Sequence, residues 1–150
     1  MKTQHIYKIT NTIDDLLYIG RTDNLHKRWL KHKNDAKHGC DRPLYRAMRI
    51  HGIENFHLET IEECLDYATA KSRETYWIRI LNTVYPHGYN ANVPRLTDTE
   101  AAIVKYDAWG WSLWQYANYF GMSILTLQQV RSGMSHFHVT RTHLPILSNS

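Results

Sequence analysis

The chain lacks the features that staple or anchor a protein. It has two cysteines in 150 residues, Cys40 and Cys64, with no CxxC spacing. That excludes a disulfide scaffold, and without a Cys/His quartet at finger-like spacing a structural zinc site is excluded too. No apolar run reaches bilayer-spanning length, and the opening "MKTQHIYKIT" carries no apolar signal-peptide core. The expectation is a soluble intracellular protein with no membrane partner. No internal repeat or low-complexity tract is visible. What is present suits a folded chain: 43% apolar residues, ten Tyr and five Trp.

The net charge is only +4, but it is unevenly placed. Between Arg21 and Arg49 stand nine Lys/Arg and three Asp/Glu. A patch of that density suits a polyanion, although charge alone fits a solvated helix face equally well.

"HIYKIT" and "LYIG" flank the turn-like "NTIDD". They predict an antiparallel hairpin over His5–Thr10 and Leu16–Gly20, with Tyr7 pairing near Tyr18 and both phenols on one face. Asp23 or Asn24 then caps a helix through "NLHKRWLKHKNDAKHG", with Leu25, Trp29, His32 and Ala36 on its inner side and Arg28 one turn before His32. "PLYRAMRIHG" predicts a second helix, opened by Pro43 and closed by Gly52. "NFHLETIEEC" alternates like a strand, with Phe56, Leu58 and Thr60 against His57, Glu59 and Ile61. "LDYATAKSRETYWIRILNTV" is the strongest helix pattern, with an apolar stripe of Tyr67, Ala70, Trp77, Ile78 and Leu81. Glu74 falls inside that stripe. A carboxylate there needs a cation, a metal or a water-filled cleft, because burying it alone costs several kcal/mol or more. An ordinary ion pair, with Arg28 for instance, is the plainer reading.

Pro86, Gly88 and Pro94 break the pattern, and a domain boundary is placed near Val93, dividing 1–93 from 94–150. Beyond it come a helix capped by Thr97 or Thr99 and then "SLWQYANYFGMSILTLQQVRSG". Leu113, Tyr116, Ala117 and Phe120 form one stripe, Gly121 a turn, Ser123 a cap, and Ile124, Leu127 and Val130 the next apolar face. Helix, glycine turn, helix is the spacing of a helix-turn-helix. Gln128, Gln129 and Arg131 fall on its polar side and are candidate DNA contacts. A plain three-helix appendage fits as well, since only four Lys/Arg and three Asp/Glu follow Val93. The closing "THLPILSNS" carries little signal and is read as an arm.

Five ordered elements resemble the GIY-YIG nuclease family: "HIY" at 5–7, "YIG" at 18–20, Arg28 in "HKRW", Glu74 in "RETYWI" and "GYN" at 88–90. The resemblance spans about residues 4–92, with His5 standing where the family has its first glycine. It implies an α+β fold, a small three-stranded antiparallel sheet flanked by helices, here followed by the all-α helix-turn-helix appendage. It also implies DNA phosphodiester hydrolysis with one divalent ion, Mg²⁺, for which Mn²⁺ can substitute. The phrase "KRWLKHKNDAKHGC" looks most like the phage and intron-encoded, homing-type branch, which places the protein in the cytoplasm of a bacterial or phage-infected cell.

Within that resemblance the catalytic set is Tyr7, Tyr18, Arg28, His32, Glu74 and Asn90. Glu74 is the metal ligand, since Mg²⁺ takes oxygen ligands and keeps several waters. Arg28 suits a phosphate oxygen. Tyr7 stands where the family has its proposed general base, although a free phenol ionises near pH 10 and needs a nearby cation to act. Tyr18 orients water or phosphate, His32 touches phosphate or relays a proton, and Asn90 holds the site by hydrogen bonds. Arg21, Lys27 and Lys31 are the DNA contacts of this region. The partner is double-stranded DNA, engaged by a monomer or a transient dimer. An inactive helix-turn-helix regulator and a restriction or nicking enzyme are the alternatives; an RNA-binding module lacks the aromatic platform motifs.

Overall fold

In the computed structural model, which describes residues 2–92, 95–136 and 138–145, the chain opens with a hairpin of β1 (Gln4–Asn11) and β2 (Leu17–Thr22). Its register differs from the expected one. Tyr7 faces Gly20 and Tyr18 faces Ile9, because the turn is centred between Ile13 and Asp14 and shifts the pairing. The phenols are therefore diagonal neighbours on one face, with ring centroids 6.3 Å apart. A Cβ at Gly20 would collide with the Tyr7 hydroxyl and the Tyr18 ring, so only glycine lets the two rings meet over that strand. His5 sits in extended strand backbone, where no glycine is required.

The other edge of β1 pairs antiparallel with β3 (Phe56–Cys64), giving the order β2-β1-β3. Beside Tyr7 the register slips: Tyr7 lies opposite Thr60, whereas Ile6 lies opposite Glu62. The bulge at Ile61 ends the alternation read from the sequence and locally re-aims the strand.

Between the hairpin and β3 run α1 (Leu25–Lys37) and α2 (Pro43–His51). Asn24 caps α1 by accepting from the Lys27 N–H, and Gly52 closes α2 at φ +87. After β3 comes α3 (Tyr67–Ile80), capped by Asp66. The helices cover opposite faces of the sheet. Tyr7 and Ile9 pack with Ala36, Leu44, Tyr45 and Met48 of α1 and α2, while Ile6 and Ile19 pack with Ala70 and Ile78 of α3. Two members of the expected α3 stripe lie outside. Tyr67 is drawn to the surface by a hydrogen bond from Arg21, and Leu81 stands at the C-cap, where the chain leaves the helix. Both cysteines are free thiols.

The chain falls into two compact units, Met1–Pro94 and Arg95–Ser150; the boundary expected at Val93 itself lies outside the described residues. The second unit holds α4 (Asp98–Lys105), α5 (Leu113–Phe120) and α6 (Ile124–Arg131). Thr97 with Glu100 and Ser112 with Gln115 form capping boxes, and Gly121 turns the chain at φ +61. Tyr116, Phe120, Leu127 and Val130 close its core with Ala101, Ala102 and Val104. Ile124, expected in that core, is 42% exposed, since α6 turns only Leu127 and Val130 fully inward. Of the closing arm, residues 146–150 lie outside the described residues. Among the described residues no helix is long and apolar enough to cross a membrane.

Candidate active site

Two elements meet at one phenol. Tyr7 projects from β1, while Arg28 and His32 sit one turn apart on α1. The Arg28 Nε–H donates to the Tyr7 oxygen at 2.9 Å, and the Tyr7 hydroxyl lies 2.8 Å from His32 Nε2. On the far side of the imidazole, Nδ1 is 3.2 Å from the Tyr45 oxygen, and the Tyr45 hydroxyl donates to Asp35 Oδ2 at 3.2 Å. The Asp35 carboxylate fixes the directions. Tyr45 gives it a proton and so accepts from His32 Nδ1–H, which leaves Nε2 as the acceptor for the Tyr7 hydroxyl.

The electrostatics agree with this assignment. Burial, reinforced by the Arg28 charge, pushes the His32 pKa down to about 3, so the imidazole is neutral and its Nε2 lone pair is open to the Tyr7 hydrogen bond, although the same burial makes it a weak base. Burial and the neighbouring Tyr18 raise the Tyr7 pKa well above the ordinary phenol value, against the pull of Arg28, so Tyr7 keeps its proton in the free protein. Tyr18 packs edge-on against His32 at 5.4 Å between ring centroids, and its hydroxyl lies within electrostatic reach of Arg28.

Glu74, on α3, is half-buried and paired with Arg21 of β2, whose Nε donates to Oε2 at 2.9 Å. The partner is thus Arg21 rather than Arg28. A second arm of Arg21 donates to the Tyr67 hydroxyl at 2.8 Å, and its guanidinium lies 4.2 Å over the Tyr67 ring. Arg21, expected as a DNA contact, is committed to holding the carboxylate. Burial raises the Glu74 pKa, with Arg21 and then Arg28 working against the rise. Tyr18, Glu74 and Asn90 line one cleft of about 260 Å³, together with Tyr45, Tyr89 and Arg42. Tyr7 and His32 are fully buried and touch that cleft through Tyr18 and Tyr45.

Among the described residues no group of three or more His, Cys, Asp and Glu side chains could hold a metal. A site built from several soft or nitrogen ligands does not fit. One incompletely compensated carboxylate in a hydroxyl-lined cleft does fit a hard divalent ion that draws its other ligands from water and substrate.

Asn90 is a fastener. Its Oδ1 accepts from the Ile19 N–H at 2.9 Å and from the Thr83 hydroxyl at 2.7 Å, and its Nδ2 donates to the Ile19 carbonyl at 2.8 Å. It ties the segment after α3 to the middle of "YIG". The rest of "GYN" does the same. Gly88 passes so near the Thr83 backbone that a Cβ would collide, and the Tyr89 hydroxyl donates to Asp14.

Lys27 and Lys31 are exposed on α1, Lys31 paired with Asp35 at 3.3 Å. In the second unit Gln128 and Gln129 are exposed on α6. Arg131 instead turns back, donating to the Val104 carbonyl at 3.3 Å and to Asp107 at 3.4 Å, so it braces the helical core. Sequence reasoning missed Tyr45, Asp35 and Tyr67. Asp35 stands three residues after His32, a spacing that places it on a neighbouring part of the helix face, but nothing local marks the two tyrosines.

Residues 3–90 match the family model of the GIY-YIG catalytic domain. The chain is 33% identical over 97 residues, 63% of its length, to intron-associated endonuclease 1 of Enterobacteria phage T4, of which the match covers 39%. It is 31% identical over 90 residues, 56% of its length, to uncharacterized protein 019R of Invertebrate iridescent virus 6, covering 32% of that protein. Among solved structures, the catalytic domain of the homing endonuclease I-TevI aligns with a TM-score of 0.54 at 32% identity, over 59% of this chain and 98% of that one. A mutant of the same domain gives 0.55 at 30% identity, over 63% and 99%. The chain thus spans well under half the length of these curated relatives and matches nearly all of the solved catalytic domain. With its residues 3–90 forming that catalytic domain, the chain belongs to the GIY-YIG family.

Proposed function

We propose that this protein is a Mg²⁺-dependent DNA endonuclease of the phage or mobile-element, homing type, with Tyr7, Arg28, His32 and Glu74 carrying the chemistry. The observation that supports it best is the double engagement of one phenol. Arg28 donates to the Tyr7 oxygen while His32 Nε2 accepts its hydrogen bond, with the Glu74 carboxylate within electrostatic reach of the phenol.

In the reaction, DNA binding opens the buried Tyr7 oxygen to the cleft, and an attacking water gives it a proton as the Tyr7 proton passes to His32 Nε2, whose low resting basicity is raised by the negative charge of the bound phosphate. The water oxygen bonds to phosphorus, the bond to the leaving sugar oxygen breaks, and that oxygen takes a proton from solvent. Tyr45, backed by Asp35, holds the imidazole in the accepting tautomer. Arg28 faces the negative charge that grows on the phosphoryl oxygens. Tyr18 orients the phosphate, and Asn90 holds β2 in place. Glu74 would hold the divalent ion, in place of or beside Arg21; the bound ion supplies Lewis acidity and neutralises charge. Double-stranded DNA is the substrate, cut by a monomer or a transient dimer. Lys27 and Lys31 extend the phosphate-binding face, and the α5–Gly121–α6 pair, with Gln128 and Gln129 outward, adds affinity and site choice.

Nicking and linearisation of supercoiled plasmid test the reading. The wild-type chain should cut with Mg²⁺ or Mn²⁺ and not in EDTA. Glu74→Ala should lose cleavage while keeping DNA affinity. A folded chain that binds DNA and never cuts it under any divalent ion would leave the inactive regulator instead.

A further inference from the structure

Arginine is the residue whose partners this fold accounts for almost completely. Arg21 holds Glu74, Arg28 holds Tyr7, Arg46 pairs with Asp41 at 3.2 Å, Arg49 donates to the Ala36 and Cys40 carbonyls, and Arg73 pairs with Glu62. Arg131 braces Asp107, and Arg141 lies over Tyr106. Arg79 and Arg95 also have partners. Arg42 is the exception: among the described residues its side chain makes no hydrogen bond, ion pair or ring contact.

Its place gives that exception meaning. Arg42 is the N-cap residue of α2, yet its side chain caps nothing. The neighbouring carboxylate, Asp41, is already occupied by Arg46. Arg42 lines the same cleft as Glu74, Tyr18 and Asn90. An exposed guanidinium with no partner among the described residues, the one cation in the lining of this cleft, is a fork left for a ligand oxygen pair.

We propose that Arg42 binds a DNA backbone phosphate next to the scissile one and so sets the register of the strand in the Glu74 cleft. This rests on the endonuclease reading above. It assigns Arg42 a positioning role, separate from the transition-state role of Arg28. Phosphate contacts of this kind fix register without reading sequence.

The test is carried by DNA binding, which does not require the protein to cut. Affinity for a short duplex is measured in Ca²⁺ across a salt series with the wild-type chain, Arg42→Ala and Arg42→Lys. Arg42→Ala should weaken binding roughly tenfold, as expected for loss of one charge-assisted contact. It should also reduce the steepness of the log–log salt plot by about 1, the release of one phosphate's counterions. Arg42→Lys should restore the salt slope but only part of the affinity. Duplexes carrying a single neutral methylphosphonate, walked along each strand, locate the contact: one position should weaken the wild type and leave Arg42→Ala unaffected. If cleavage is observed, saturating single-turnover rates should fall less than affinity. Equal affinity and equal salt slope in wild type and Arg42→Ala would overturn the proposal. So would a methylphosphonate walk in which every position affects both proteins alike. A wild-type chain that binds with the Arg42 signature but never cuts would instead count against the nuclease reading alone. Because the Arg42 side chain has no partner among the described residues, Arg42→Ala should show the circular dichroism and melting temperature of the wild type.

Discussion

The Tyr7 hydroxyl lies 2.8 Å from His32 Nε2, in a place where both side chains are shut off from solvent. One proton between two buried bases makes them a single functional unit, because neither can change its protonation without the other. Tyr7→Phe and His32→Ala should therefore each lower the single-turnover cleavage rate by roughly 10²–10⁴-fold. The double variant should be little worse than either single one, as for groups that act together. Effects that multiply would show that the two residues work separately.

Acid should act on the fold through the same histidine. Burial sets the folded pKa of His32 at about 3, below its ordinary 6.5. Between those values the unfolded chain binds the extra proton, so stability is fully present above 6.5 and is lost as the pH falls toward 3. Thermal melts from pH 7 down to pH 4 should show a drop that is shallower in His32→Gln. Parallel melting curves for the two proteins would exclude His32 as the acid-sensitive group.

How far the sequence could be read follows from which interactions are local. The hairpin, the Asn24 cap, the Gly52 and Gly121 turns and the stripe through His32 and Ala36 depend on neighbours within a few residues, and each stands where the pattern placed it. The register of Tyr7 against Gly20 depends on where a turn centres, which the sequence leaves open by one or two residues. The choice of Arg21 over Arg28 for Glu74 depends on how α3 crosses β2, and no spacing encodes that. Tyr45 joins the site because two helices meet, and the inward turn of Arg131 toward Asp107 depends on the packing of a whole unit. The "GYN" asparagine could be recognised from the chain, but its three partners at Ile19 and Thr83 could not.

Those three bonds make Asn90 a test of structure against chemistry. Asn90→Ala leaves the Ile19 N–H and carbonyl without their side-chain partner in a buried setting, at a cost of about 2–4 kcal/mol. Urea unfolding should move by that amount with little change in slope. Any cleavage left in the folded fraction should keep the wild-type dependence on pH and metal. A stable Asn90→Ala protein that has lost catalysis would assign the amide to the chemistry instead.

Gly20 offers the most direct test of the paired phenols. Its backbone is ordinary extended strand, so alanine brings no conformational strain there; what it brings is a methyl group where the Tyr7 hydroxyl and the Tyr18 ring now meet. Tyr7 is fully buried and held by Arg28 and His32, so it has nowhere to retreat. Overpacking of this kind costs about 1–3 kcal/mol and should displace the hydroxyl from His32, lowering the cleavage rate more than the DNA affinity. The cause can be isolated with a second substitution. Tyr7→Leu removes the end of the ring that the new methyl would strike, so Gly20→Ala should cost less stability in that background than in the wild type. An equal cost in both backgrounds would mean that the glycine answers to something other than Tyr7.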